Sequence, residues 1–270
     1  MIDVDLRPER RERLAAELRA ALTAAIPDSQ AELRGSLGSG TADPYSDIDL
    51  AWMVPDDMFA AAVESAAPVI QTVGTVSSLR SDPDLATSDR RRLIFFRLAG
   101  LPLFWRVDLD IRAASVGADN SYDDANPAAR SEAGWSRPAS AIENAVAAIK
   151  ASVRGQPSTA DSLLLRGYQR IGLDAVPAAD LPSSIIRLAD SCAAIEPGLT
   201  ALASQVRQAV RTFARAGLVA LCQLNFRHLP CQGVAAVTGW PEWRVDREWK
   251  QPSPFVVTRG AARVAERFAR

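Results

Sequence analysis

Apolar residues recur at helical spacing near the start of the chain. Leu14, Leu18, Leu22 and Ala25 fall on one side of the segment Pro8 to Ala25, with charged residues on the other. This periodicity predicts an amphipathic helix. The pattern then shortens. Ala31 to Arg34 reads as a brief strand ended by the Gly35-Ser36 turn signal, and Ile48 to Val54 as a second strand that follows Pro44-Tyr45-Ser46 and stops at Pro55. Asp56 to Ala67 predicts a helix and Val69 to Val76 a strand. Leu93 to Leu98 and Leu103 to Ile111 predict a hairpin around Ala99-Gly100-Leu101-Pro102.

From Ala114 to Ala139 small and turn-forming residues dominate, which places a domain connection there. Beyond it the helical period returns. Ser140 with Glu143 forms a capping-box pattern, and Ile142, Val146, Ile149 and Val153 share one helical face. Ser158 to Ile171, Ser183 to Ile195 and Leu199 to Leu218 predict three more helices, the last with Leu202, Val206, Val210, Phe213 and Leu218 on its apolar side. The expected class is α+β in two domains, 1–135 with mixed elements and 136–270 helical. A length of 270 residues allows each a core.

Composition adds mainly exclusions. With 48% hydrophobic and 23% charged residues and a net charge of −1, the chain reads as an ordinary globular protein. It holds no apolar run near the ~18 to 20 residues of a bilayer span, and "MIDVDLRPERRERL" lacks a signal-peptide core, so a cytoplasmic location is expected, with no membrane partner. Cys192, Cys222 and Cys231 have no CxxC spacing and read as small core residues. The single histidine, His228, argues against histidine-rich metal sites and most histidine-based triads, which leaves carboxylates to carry chemistry. Lys150 and Lys250 are the two lysines among 31 cationic residues, and the near-neutral balance argues against a nucleic-acid partner.

The stretch "LRGSLGSGTADPYSDIDLAWMV", from Leu33 to Val54, concentrates candidate chemistry. No Lys-Ser or Lys-Thr completes a P-loop, and Gly38-Ser39-Gly40 lacks the third glycine of GxGxxG. What remains is Gly35-Ser36, then Asp47-Ile48-Asp49 before an apolar run. On a strand, Asp47 and Asp49 project to the same face. Two carboxylates so placed are costly without a cation, and hard oxygen ligands suit Mg²⁺. A glycine lets backbone approach a phosphate closely, and a serine hydroxyl donates to its oxygens.

"GS", ten residues, then "DID" within apolar sequence resembles the signature of the DNA polymerase β-like nucleotidyltransferase superfamily. The stretch is similar in particular to small bacterial antibiotic nucleotidyltransferases of the aminoglycoside and lincosamide type. The resemblance implies an N-terminal nucleotidyltransferase domain of mixed sheet and flanking helices, with a C-terminal helical domain covering its substrates. It implies Mg²⁺-dependent transfer of a nucleoside monophosphate from an NTP, with ATP the expected one, to a hydroxyl of a small-molecule acceptor. Two Mg²⁺ ions would sit on Asp47, Asp49 and a third carboxylate. In "FWRVDLDIR" that third acid is read as Asp108, and Asp110 fits the same pattern. Gly35, Ser36, Ser39 and Lys150 are the expected nucleotide-binding residues. Arg34 and Ser39 depart from relatives, which more often carry an apolar or aromatic residue and an arginine there.

Other candidates have plainer explanations. Arg90-Arg91-Arg92 reads as a solvated loop, Trp240, Trp243 and Trp249 as packing residues, and Glu143 as a cap rather than an auxiliary base. Two further functional readings stand beside the first: transfer to a protein or tRNA, as in toxin–antitoxin nucleotidyltransferases, and a non-catalytic binding module. Mg²⁺-dependent pyrophosphate release separates the latter from either enzyme.

Overall fold

A computed structural model describes residues 5–174 and 180–225, with side chains described to 213 in the last helix. His228, Cys231 and Trp240, Trp243 and Trp249 lie outside the described residues. The backbone divides into two compact units, the first running to Ser136 and the second beginning at Arg137. The class is α+β.

In the first unit, helix α1 (Pro8–Ala25) is followed by β1 (Gln30–Leu33), the one-turn helix α2 (Gly35–Gly38) and β2 (Ile48–Val54). Helix α3 (Phe59–Val73) leads to β3 (Val76–Ser81), β4 (Arg91–Leu98) and β5 (Val107–Ala113). The five strands form one mixed sheet in the order β1-β2-β5-β4-β3. β2 and β5 run parallel at its centre, and the other pairs are antiparallel. Alternation sorts the residues of the central strands. Ile48, Leu50, Trp52 and Val54 of β2, with Val107, Leu109 and Ile111 of β5, pack into the same core as Leu14, Leu18 and Leu22 of α1 and Ala62, Ala66 and Ile70 of α3. Trp52 buries its ring and still donates its indole N–H to Ser29 Oγ at 3.0 Å, satisfying the one polar atom that burial would otherwise penalise. The opposite face of β2 and β5 carries Asp49, Asp108 and Asp110, all half-buried.

The sequence reading of 69–76 as a strand is corrected. Helix α3 continues through Pro68 to Val73, and β3 starts at Val76. Ala62, Ala66 and Ile70 are at most 1% exposed at i, i+4, i+8 spacing, so burial of this stripe outweighs the hydrogen bond that Pro68 removes. Arg91 and Arg92 are likewise not a solvated loop. They open β4, where Arg91 is buried against acids.

The second unit comprises α4 (Arg137–Val153), α5 (Pro157–Arg170), α6 (Leu181–Ile195) and α7 (Thr200–Asn225). Helix α4 opens at Arg137, so Ser140 lies inside it rather than at its cap, and the Ser140 hydroxyl meets the Arg170 guanidinium of α5. Gly167 lets α5 and α6 approach closely: a Cβ there would stand 2.5 Å from Leu188 Cδ2. Asp180 caps α6 by accepting from Ser183 N–H at 2.7 Å. Cys192 is a buried core residue of α6, as its lack of partner spacing suggested, and burial pushes its thiol up to about 12. Among the described residues no helix is long and apolar enough to cross a membrane.

Candidate active site

The stretch from Leu33 to Val54 folds into two pieces pressed against each other. Arg34 donates its backbone N–H to Asp49 O at 2.8 Å, which extends the β1–β2 pairing by one step and brings Gly35 beside the Asp49 side chain. Gly35 sits at φ +54°, and a Cβ there would lie 2.1 Å from Asp49 Oδ2. Both the positive φ and the close approach require glycine. The turn of α2 closes through Gly38 N–H to Arg34 O and Thr41 N–H to Ser36 O, each at 2.9 Å. Ser39 does not extend outward: its hydroxyl donates to Gly35 O at 3.0 Å and pairs with Thr41 Oγ1 at 2.8 Å.

Between the two pieces the chain is braced. Asp43 Oδ1 accepts from Tyr45 N–H and from the Ser46 hydroxyl, both at 2.9 Å, an Asx turn of the kind short polar residues favour. Beneath it lies Arg11 of α1, only 2% exposed, donating to the carbonyls of Asp43 and Ser46 and approaching the Trp105 ring at 6.0 Å. Burial lowers the guanidinium's pKa, while the charges of Asp43, Glu12 and Asp47 act to keep it protonated. Asp47 follows this loop directly and Ile48 enters the core, so Asp47 and Asp49 flank a fully buried residue and are themselves half-buried.

Strand pairing brings in the third acid. In the parallel β2–β5 register Asp49 stands opposite Asp108, and Ala51 opposite Asp110. In-register neighbours on adjacent strands share a face at roughly 4.8 Å backbone spacing. The two candidate acids of β5 differ in their surroundings. Asp108 Oδ1 and Oδ2 each accept from Arg106, at 2.7 Å, a bidentate pair. Asp110 is shared by two arginines, Arg91 at 3.2 Å and Arg112 with both Nε and Nη2, and Arg91 also reaches Asp124 at 2.6 Å. Arg112 and Arg91 are 6% and 10% exposed in their side chains, so this is an interior network.

Arg106 is a residue that sequence reasoning overlooked, although "FWRVDLDIR" contains the signal. On a strand, Arg106, Asp108, Asp110 and Arg112 alternate onto one face, which pairs each acid with an arginine two positions away. Arg106 also lies over the Phe95 ring at 4.9 Å. Arg80 of β3 lies over the same ring at 4.7 Å and over Trp135 at 4.9 Å.

The donor chemistry fits a hard divalent cation: paired aspartate carboxylates in a rigid strand register, one pressed against a glycine turn. Among the described residues no three or more His, Cys, Asp or Glu side chains are gathered as a metal-ligand set, so Asp47, Asp49 and Asp108 would have to converge on binding. Lys150, expected from the resemblance to bind nucleotide, belongs to the second unit and is a buried residue of α4, 7% exposed.

No family model matches the chain, and no curated protein does. Among solved structures, one of a GLD-2/RNP-8 complex aligns over 70% of this chain and 78% of its own, at 15% identity and a TM-score of 0.32. One of Cid1 in complex with the UTP analog UMPNPP aligns over 61% of this chain and 48% of its own, at 17% identity and a TM-score of 0.30.

Proposed function

We propose that this protein is a nucleotidyltransferase that moves a nucleoside monophosphate from an NTP to an acceptor hydroxyl and releases pyrophosphate. The observation that carries the reading is the register of Asp49 with Asp108, with Gly35 held against Asp49 by its missing side chain. The motif resemblance of Gly35-Ser36 and Asp47-Ile48-Asp49 supports it. ATP is the first nucleotide to test.

Asp47, Asp49 and Asp108 would hold Mg²⁺, which when bound supplies positive charge to the triphosphate and to the entering and leaving oxygens. The chain's own work is placement. Gly35 and Ser36 hold the β- and γ-phosphates beside Asp49, with the Ser39 hydroxyl shaping that turn rather than reaching the nucleotide. Arg11 fixes the loop that delivers Asp47. Asp108 orients the acceptor hydroxyl and takes its proton at a carboxylate oxygen as the acceptor oxygen bonds to the α-phosphorus. The bond from that phosphorus to the β-phosphate oxygen breaks, and pyrophosphate departs in line toward Gly35-Ser36. Arg106 keeps Asp108 in place and limits its repulsion with Asp49. No role is assigned to Lys150.

The resemblance implies a small hydroxylated acceptor of the antibiotic type, with transfer to a protein or tRNA the alternative. Pyrophosphate release from each NTP with Mg²⁺ and a mixed acceptor pool tests the reaction itself. Release is expected from the wild-type protein and at least about 100-fold less from Asp49→Asn, a loss typical of removing transition-state charge stabilisation. Equal release from both would refute the reading, and a complete lack of release would favour a binding module.

A further inference from the structure

The candidate acids occupy one of three ranks of side chains on their face of the sheet. Alternation along the strands and register between them define these ranks across β2, β5 and β4. Asp49, Asp108 and Phe95 stand in the first, Ala51, Asp110 and Leu93 in the second, and Met53, Arg112 and Arg91 in the third. The proposed mechanism uses the first rank alone.

The third rank carries a strap. After β5 the chain turns back over the sheet, and residues 117–124 cross it from β2 to β4. Gly117 meets Met53: a Cβ there would stand 1.9 Å from Met53 Cε. The Arg112 guanidinium donates to the carbonyls of Gly117 at 3.4 Å and Asp119 at 3.3 Å, and to Asn120 Oδ1 at 2.9 Å. Arg91 holds the remainder, donating to the carbonyls of Asn120 at 3.0 Å and Tyr122 at 3.1 Å and to Asp124 Oδ1 at 2.6 Å. Tyr122 is the one large apolar side chain of 117–124, so hydrogen bonds and ion pairs carry most of the strap's placement.

Both guanidinium groups depend on one residue of the second rank. Asp110 Oδ2 accepts from Arg112 Nε and Nη2 at 2.9 and 2.6 Å. Its two oxygens also accept from Arg91 Nε and Nη2 at 3.2 and 3.3 Å. Two cations brought this close repel each other unless an anion lies between them. The Asp110 carboxylate is therefore the condition for both arginines to face the strap.

We infer that Asp110 is a positioning residue: through Arg91 and Arg112 it fixes the strap as a wall of the reaction cleft on the side from which the acceptor comes. This rests on the nucleotidyl-transfer reading, in which pyrophosphate leaves toward Gly35-Ser36 and the acceptor arrives in line from beyond Asp108, over β4. There residues 120–124 lie on Arg91, four residues and roughly 13 Å along the strand from Phe95 of the first rank. An acceptor over β4 has that wall at its flank, and a wall free to move places its hydroxyl poorly. The two acids of β5 thus divide the work. Asp108 faces the reacting hydroxyl, and Asp110 touches no reactant.

Hydrogen exchange by mass spectrometry on the full chain, without ligand, tests the clasp. At labelling times short enough that β2 stays protected, peptides covering 117–124 are expected to exchange at least about tenfold faster in Asp110→Asn. A second variant leaves the ion pairs in place: Gly117→Val pushes the strap off Met53, and adding Met53→Ala gives it room again. Steady-state transfer from ATP tests the wall, with the acceptor that takes label in a panel of RNA oligomer, AMP and kanamycin. In Asp110→Asn and in Gly117→Val the acceptor KM should rise at least about tenfold while kcat changes less than about threefold, and Met53→Ala should recover most of the loss in Gly117→Val. A persisting ATP-induced thermal shift shows that the variants fold. Wild-type exchange of 117–124 in Asp110→Asn would overturn the clasp, and a loosened strap with an unchanged acceptor KM would overturn the wall. A fall in kcat alone would overturn it too, by placing Asp110 among the catalytic acids. If the wild-type protein labels no acceptor, the transfer reading falls and the wall with it, while the exchange rates still decide what holds the strap.

Discussion

Gly35 and Asp49 form the tightest pairing in the candidate site, and its consequence is specific. Any side chain at position 35 must displace the Asp49 carboxylate, since a Cβ would stand 2.1 Å from Oδ2. Gly35→Ala is therefore expected to lower kcat/KM for transfer by about 100-fold or more, while the strained φ costs only about 1 kcal/mol of stability by urea denaturation. Asp108 and Asp110 should separate in the opposite sense. Asp110→Asn breaks a network of two nearly buried arginines and is expected to cost about 2 to 4 kcal/mol in denaturant unfolding while the ATP-induced thermal shift persists. Asp108→Asn should abolish transfer with a smaller loss of stability, because its Arg106 partner is partly exposed. The aspartates themselves were legible in the sequence, because alternation on a strand fixes which residues share a face. Which of the two β5 acids stands opposite Asp49 was not, since register depends on pairing between distant strands.

At the scale of elements, α1 does more than cover the sheet. Its Arg11 reaches through the core to the carbonyls of Asp43 and Ser46, and so braces the loop between the glycine turn and the paired aspartates. Arg11→Met keeps the apolar stem but removes the guanidinium donor from both carbonyls, of which Asp43 O retains the Ser46 N–H, at an expected cost of about 2 kcal/mol. Urea unfolding measures it, and a raised Mg²⁺ requirement for transfer would accompany it as the Asp47 loop loosens. In sequence Arg11 stands three, seven and eleven residues before Leu14, Leu18 and Leu22, on the apolar stripe rather than the charged face, and that position sets it apart from Arg10 and Arg13. Helix α3 shows the limit of such local signals. Pro68 and the β-branched residues after it favour a strand locally, yet the buried stripe of Ala62, Ala66 and Ile70 keeps the segment helical to Val73. Long-range burial overrode a strong local stop signal.

For the whole molecule, each unit offers its own probe. In the second, burial and the Glu196 charge raise the Cys192 thiol to about 12, so the folded state disfavours the thiolate. An unfolded chain ionises this thiol at ordinary alkaline pH, so the contribution of Cys192 to stability is intact below about pH 9 and falls as pH rises toward 12. In a variant lacking the other two thiols, Cys222→Ser with Cys231→Ser, labelling of Cys192 by a disulfide reagent at about pH 8 should proceed at the opening rate of the unit rather than at the rate of a free thiol. Labelling as fast as in urea would contradict the buried placement. In the first unit the nucleotide is the probe, and the central claim is that its paired strand carboxylates transfer a nucleotidyl group. The most direct measurement is a time course of α-labelled ATP with Mg²⁺ and an acceptor panel of RNA oligomer, AMP and kanamycin, run with wild-type protein, Asp49→Asn and Asp108→Asn. The account predicts label moving from ATP to one acceptor with stoichiometric pyrophosphate, and at least about 100-fold slower transfer in each variant. Wild-type rates in either variant would contradict it, as would labelled ATP left intact by the wild-type protein with every acceptor.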